Sequence, residues 1–368
     1  MKTRLCILTT CAIMIVAGGL VSESVARRTH LTPEQKQHLR QARTIFVNAL
    51  ALTEKGRTDP SRIQALVSQR LQEVGFLVVG DRTQAHDVEL KVKCEERKTW
   101  IGTTAEGGDA ELLDAPSRLW KGPACLLTYV LDGQNLGWYK EIRTSFHDAI
   151  QAAQSAGTKD SGTYALAKLH ERLKQYDFPV LLAAEWEQPD RLIALLDKPE
   201  TSKIRKLFIL ATLSSIEVET ALPHLTKLMQ DKDLAQEAVE ALTGVGEHSI
   251  PFLTDLFQSS PQPEIQAAAA RALGDVAGSS GNPTAIPPLL AYLKNVLPTF
   301  KTSADINFTV LTEVVWSLGK LRDEESIEPV NELNQKVWLI NDHSKEMAAL
   351  REAANWTYKQ LDLDGHVS

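Results

Sequence analysis

A chain of 368 residues with 43% hydrophobic and 24% charged residues is long enough for two cores and too apolar for wholesale disorder. Its formal net charge of −7, spread without a basic cluster, argues against nucleic acid as the main partner.

Residues 1–26 read as a signal peptide. Lys2 and Arg4 supply the positive start, Leu5 to Leu20 the apolar run, and Ser24-Val25-Ala26 the small residues that a signal peptidase reads. The run is too short, and too soon followed by polar residues, for a membrane span. Leu8-Thr9-Thr10-Cys11 comes too early in the run for a lipoprotein box. The expectation is a cleaved protein, periplasmic or secreted, with no membrane span in the mature chain. Cleavage after about Ala26 would leave Cys94 and Cys125 as the remaining cysteines. In an oxidising compartment such a pair invites a disulfide, the alternative being two buried thiols.

Thr32-Pro33-Glu34 starts a helix, with Thr32 as its cap. Thr44 to Leu50 reads as a strand. A helix from Asp59-Pro60 to Val74 carries the apolar stripe Ile63, Leu66, Val67 and Leu71 and stops at Gly75. Phe76 to Val79 is a short buried strand, and Val88 to Cys94 alternates as a strand with one wet face. Lys98 to Gly122 reads as a long loop or loose hairpin with Trp100 and Trp120 near its ends. Ala124 to Leu131 and Trp138 to Ile142 form a hairpin across Asp132-Gly133-Gln134-Asn135. These elements predict an α+β domain over residues 40–156. This part resembles small βαβ-type modules of bacterial envelope proteins. Phe146 to Ala156 and Tyr164 to Tyr176 read as helices, with a seam at Gly157 to Gly162.

From Phe178 onward helix follows helix, and a short phrase recurs. Ala241-Leu242-Thr243-Gly244 precedes Ile250-Pro251-Phe252-Leu253; Ala272-Leu273-Gly274 precedes Ile286-Pro287-Pro288-Leu289; Ser317-Leu318-Gly319 precedes Ile327-Glu328-Pro329-Val330. An earlier copy pairs Thr212-Leu213-Ser214 with Ala221-Leu222-Pro223-His224-Leu225. The first helix of each unit is expected to end at Leu213, Leu242, Leu273 and Leu318, with Tyr358 at that place in a final half-unit. The prolines then fall in the first turn of a second helix, where a missing amide hydrogen costs nothing. Repeats of this length imply a solenoid in which each unit buries its apolar face against its neighbours.

Over about residues 189–361 the pattern resembles the HEAT-repeat family, in the short bacterial form also found in phycobilisome lyases. The fold expected is therefore an α+β N-terminal domain followed by an all-α superhelical HEAT-like solenoid over residues 164–361, with an acidic tail at 362–368. The resemblance implies a binding surface for another protein. A few family members act on tetrapyrroles, so a lyase-like or isomerase-like role toward a bilin is one alternative. An envelope assembly factor acting through the N-terminal module is another. Gly278 to Thr284, Asn295 to Asn307 and Trp338 to Lys345 depart from the pattern as insertions, which in solenoids fall in loops near the binding face.

Catalytic spacing is missing from the sequence. His170-Glu171 lacks the second histidine of a zinc-protease helix. Gly278-Ser279-Ser280-Gly281 lacks the setting of a nucleophile elbow and the lysine of a phosphate loop. Asp362-Leu363-Asp364-Gly365 lacks the downstream glutamate of a calcium loop. No catalytic residue, cofactor or metal site is expected. His224 and His248 flank turns of the solenoid, which would bring them toward each other. Trp316 and Trp356 are expected in the core. Second helices line the inner curve of HEAT-type stacks, so Lys227, Phe252, Asp255 and Glu332, with Trp338 beside the last insertion, are the expected partner-binding residues.

Overall fold

The computed structural model describes residues 31–102, 118–136 and 140–361. The leader expected at 1–26, the tail at 362–368, most of the loop between Lys98 and Gly122, and Trp138 lie outside the described residues. Helix α1 (Pro33–Gln41) opens with a capping box: Thr32 Oγ1 accepts from the Gln35 amide, and Gln35 Oε1 accepts from the Thr32 amide. Then follow β1 (Thr44–Thr53), β2 (Gly56–Thr58), α2 (Ser61–Glu73), β3 (Leu77–Val79), β4 (Val88–Gly102), β5 (Arg118–Leu131), β6 (Gln134–Asn135) and β7 (Lys140–Arg143).

These strands make one mixed sheet in the order β2-β1-β4-β5-β6, with β3 beside β1 and β7 beside β5. Strands β1 and β4 are parallel, and α2 lies in the crossover between them. Alternation fixes the faces: Val88, Leu90, Val92 and Cys94 are buried while Lys91 is exposed. Their partners Tyr129, Leu127 and Cys125 are buried on the same side. Beyond a bulge between Glu95 and Lys98, the expected loose segment is paired backbone, from Lys98 opposite Gly122 to Gly102 opposite Arg118. The hairpin turn is tighter than the sequence suggested. Asp132 (φ 51) and Gly133 (φ 76) are its only loop residues, both left-handed as a two-residue hairpin requires.

Cys94 and Cys125 face each other across β4 and β5 and are joined by a disulfide, with Cα atoms 3.9 Å apart. The bond ties residues 31 positions apart, so its loss should cost about 3–4 kcal/mol by the chain-entropy argument. Both sulfurs are buried, which makes the Cys94→Ala/Cys125→Ala variant the clean probe. A urea midpoint equal to that of the parent chain would contradict this expectation.

Helix α3 (Ala149–Ser155) starts later than the apolar pattern suggested, because the Asp148 carboxylate accepts from the Ile150 and Gln151 amides and sets the start there. Helix α4 (Ser161–Gln175) starts earlier, capped by Asp160. The sequence placed this helix with the solenoid, at 164–361. The structure lays it on the sheet beside α2, where Ala165, Leu169 and Leu173 close the core over β4, β5 and β7. Gly162 permits this approach, since a Cβ there would press on Thr53 and the buried Glu96.

The helical half comprises α5 (Phe178–Glu185), α6 (Pro189–Leu196), α7 (Lys203–Leu213), α8 (Leu222–Leu228), α9 (Ala235–Glu240), α10 (Ile250–Ser259), α11 (Pro263–Ser280), α12 (Ile286–Val296), α13 (Phe308–Leu321), α14 (Ile327–Leu339) and α15 (Lys345–Leu361). First helices α7, α9, α11, α13 and α15 stack in sequence, and α8, α10, α12 and α14 are the second helices. Pro223, Pro251 and Pro287 sit in the first turns of theirs, as expected. Three first helices run past their expected ends, α15 reaching Leu361 beyond Tyr358, while α9 stops at Glu240 short of Leu242. Helix α11 continues through Gly278 to Ser280 and stops at left-handed Gly281 (φ 72), so that insertion lengthens a helix rather than a loop. Helix α13 continues to Leu321.

The recurring glycine now has a reason. A Cβ on Gly274 would collide with Ser317, one on Gly319 would lie 2.5 Å from the Trp356 ring, and one on Gly244 would collide with the carbonyl of Leu213. Gly274 and Gly319 sit where neighbouring first helices touch, and Gly244 sits where the turn after α9 meets the end of α7. Hydroxyls fill the gaps so created: Ser317 Oγ donates to the Ala270 carbonyl (2.8 Å) and Thr357 Oγ1 to the Val315 carbonyl (2.8 Å). The two bonds are equivalent rungs in successive units.

Candidate protein-binding face

The solenoid shows two different long faces. On the first-helix side, a ladder of charged bonds links unit to unit. Arg271 bonds Glu240 on α9 (3.0 Å) and both carboxylate oxygens of Glu313 on α13 (3.0 and 2.6 Å), and Lys320 bonds Asp275 (2.6 Å). The bonds from Glu313 hold the Arg271 guanidinium above its ordinary pKa. Trp316 and Trp356 are half-buried there, with ring centroids 4.8 Å apart, rather than lost in the core. This side is occupied in joining unit to unit.

On the second-helix side a different row emerges. Lys227, Asp255, Ala291 and Glu332 each stand four positions after the helix-opening Pro223, Pro251, Pro287 or Glu328, and all are exposed. Four positions is about one helical turn, so the row repeats from unit to unit along the stack. Three of the four were expected as binding residues. Glu332 also pairs with Lys336 (2.9 Å) one turn further along α14. Phe252 departs from its expected place. It follows Pro251 directly and is half-buried against the core, because its backbone position turns the ring toward the α10 interior.

Trp338 is 64% exposed and Leu339 84% exposed at the end of α14. The Arg351 guanidinium lies 5.2 Å from the Trp338 ring while donating to the carbonyls of Val337 and Ile340 (2.9 and 2.8 Å). The ring is thereby held at a helix end whose orphan carbonyls are filled. The structure brings two insertions together here. Lys336 Nζ donates to the Leu297 carbonyl (2.6 Å), and the Ser303 hydroxyl, followed by the Ser344 amide, holds the Asp342 carboxyl below its ordinary pKa. Residues 295–307 and 338–345 thus form one rim beside the exposed tryptophan.

The histidines do not form a pair. His224 Nδ1 meets Asp197 (2.8 Å), and His248 Nδ1 meets Glu219 (3.6 Å). Among the described residues no group of three or more His, Cys, Asp or Glu is placed to hold a metal ion. No helix among them is long and apolar enough to cross a membrane.

Sequence reasoning missed how the halves join. Trp186 at the end of α5 is 1% exposed, set edge-on between Phe76 and Tyr129 with ring centroids 5.4 and 5.5 Å away. Gln188 Nε2 donates to the Leu39 and Ala42 carbonyls (2.6 and 2.9 Å). Arg191 stacks 4.0 Å over the Phe76 ring, and Arg40 pairs with Glu187. Nearby, Asp177 accepts from Arg70 (2.8 Å) and Arg205 (2.7 Å), and Glu73 accepts from the same two arginines. One continuous core therefore runs from the sheet into the stack. Trp186-Glu187-Gln188 follows no period, so no pattern marked it. A lone tryptophan beside a helix break was the only signal.

Burial pushes the Tyr129 phenol well above its usual pKa, and the charge of Glu185 adds to the effect. The folded pKa lies above the unfolded value of about 10, so the neutral phenol's contribution is complete below that pH and is lost as pH rises beyond it. The parent chain should lose stability above about pH 10, and Tyr129→Phe should flatten that loss. Identical pH profiles for the two chains would contradict the assignment.

Residues 223–304 match the family model of HEAT repeats. No curated protein matches the chain.

Proposed function

With HEAT repeats in its C-terminal half, we propose that this chain is an exported, non-enzymatic scaffold that binds another protein along its second helices. The helical repeat stack itself fits protein interaction. One observation carries the choice of face: Arg271, Glu240, Glu313, Lys320 and Asp275 on the first-helix side bond from unit to unit, whereas Lys227 and Asp255 are exposed with no ion pair among the described residues and Glu332, in register with them, pairs only within α14, with Trp338 at the rim. An apolar anchor at the edge of a charged row suits a mixed protein interface. Export is supported by the leader-like residues 1–26 and by the disulfide. The non-enzymatic reading rests on the sequence, where no catalytic spacing occurs.

The test is affinity capture of the tagged mature protein from its own cell envelope. The parent chain is compared with a Lys227→Glu/Asp255→Lys/Glu332→Lys/Trp338→Ala variant. A protein recovered in stoichiometric amount with the parent and lost with the variant is the expected result. Equal recovery with both chains would remove this face from consideration.

A further inference from the structure

We propose that the groove between α2 and α4 binds a small organic polyanion carrying phosphate or carboxylate groups. This site belongs to the α+β domain and does not depend on the scaffold reading. The groove has a volume of about 480 Å³, within the range of small-ligand sites. Its α2 wall is the stripe Arg62, Leu66, Gln69, Arg70 and Glu73, and its α4 wall is His170 and Lys174, one turn apart.

Charge singles this groove out. The chain as a whole carries −7, yet Arg62 and Lys174 on these walls are unpaired cations, while Arg70 and the single lining carboxylate, Glu73, pair with each other and with Asp177 and Arg205. That carboxylate is already committed, since its Oε2 accepts from Arg70 Nη1 (2.5 Å) and Arg205 Nη1 (2.9 Å). Arg62 and Lys174 are exposed and make no ion pair among the described residues. Gln69 adds an exposed amide, and buried Leu66 gives the floor an apolar patch. Two unpaired cations, one on each wall of a concave site, suit a ligand with at least two anionic groups, and the apolar floor suits a carbon skeleton.

Calorimetric titration of the full chain with pyrophosphate and, separately, with citrate tests this. The expected result is saturable one-site binding of at least one probe. That binding should weaken at least tenfold in Arg62→Gln/Lys174→Gln and also weaken in Gln69→Glu and at raised salt. Binding of pyrophosphate alone would identify phosphate as the recognised chemistry, and binding of citrate alone would identify carboxylate. An unchanged melting temperature reads out that the exposed substitutions leave the fold intact. No saturable binding of either probe up to about 10 mM, or equal binding by the double variant, would overturn the proposal.

Discussion

Gly244→Ala should be the most damaging single-methyl change in the helical half. A Cβ at Gly244 would run into two backbone oxygens of the preceding unit, those of Leu213 and Ile216, and neither can swing aside as a side chain can. The Gly244 carbonyl meanwhile accepts from the Val218 amide at 2.7 Å, so the two turns are locked together where the methyl would enter. Forced separation of packed units should cost about 3 kcal/mol or more, which lowers the melting temperature by on the order of 10 °C. Gly80→Ala is the control: nothing lies within 4 Å of its Cβ position, so it should change stability by less than about 0.5 kcal/mol. Gly319→Ala should fall between the two, because the atoms its Cβ meets, the Trp356 ring and the Thr357 hydroxyl, belong to side chains rather than to backbone. Thermal unfolding followed by circular dichroism compares all three. A Gly244→Ala chain as stable as Gly80→Ala would contradict the stacking argument.

Trp186→Ala should act on the whole molecule rather than on one half. The indole is sealed between Phe76 of the α+β domain and Tyr129 of its sheet, at the point where α5 begins the stack. Removing a fully buried tryptophan costs about 3–5 kcal/mol, through lost transfer energy and the cavity left behind. The loss falls on the joint, so the parent, with its one continuous core, should unfold in a single transition and the variant in two, one for each half. The bonds around Asp177 and Gln188 remain in this variant, so the halves stay attached while their stabilities uncouple. Urea unfolding followed by far-UV signal reads this directly. A single transition with the parent's midpoint would show that the indole does not couple the halves.

Much of the fold was legible because it repeats. The Ile-Pro and Leu-Gly phrases located the second-helix starts and the unit contacts, since proline suits a first turn and glycine a close approach. Alternation in Val88 to Cys94 located the strand that carries the disulfide, and Cys125, the one other cysteine outside the leader-like residues 1–26, suggested its partner. Helix ends were less legible. Gly278-Ser279-Ser280 has the composition of a turn, yet it continues α11 because the left-handed stop is one residue later, at Gly281. Helix α4 was assigned to the wrong neighbour because an amphipathic stripe shows that a helix is half-buried, not against what. Lys227, Asp255 and Glu332 were singled out as second-helix residues, and their shared register emerged in the structure. Phe252 is half-buried and off that row, since one position on a helix rotates a side chain by about 100°. The α2–α4 groove left no trace in the sequence, because its cations come from elements about a hundred residues apart and meet only through the sheet.

The central claim is that a protein partner lies along the second helices and not along the first. Site-specific photocrosslinking in the native envelope tests it most directly, with the crosslinker placed in turn at Asp255 and Glu332 on one side and at Glu237 and Asn355 on the other. One protein joined through Asp255 and Glu332, and not through Glu237 or Asn355, is the expected result. The same product from the first-helix positions, or a product only from them, would contradict it.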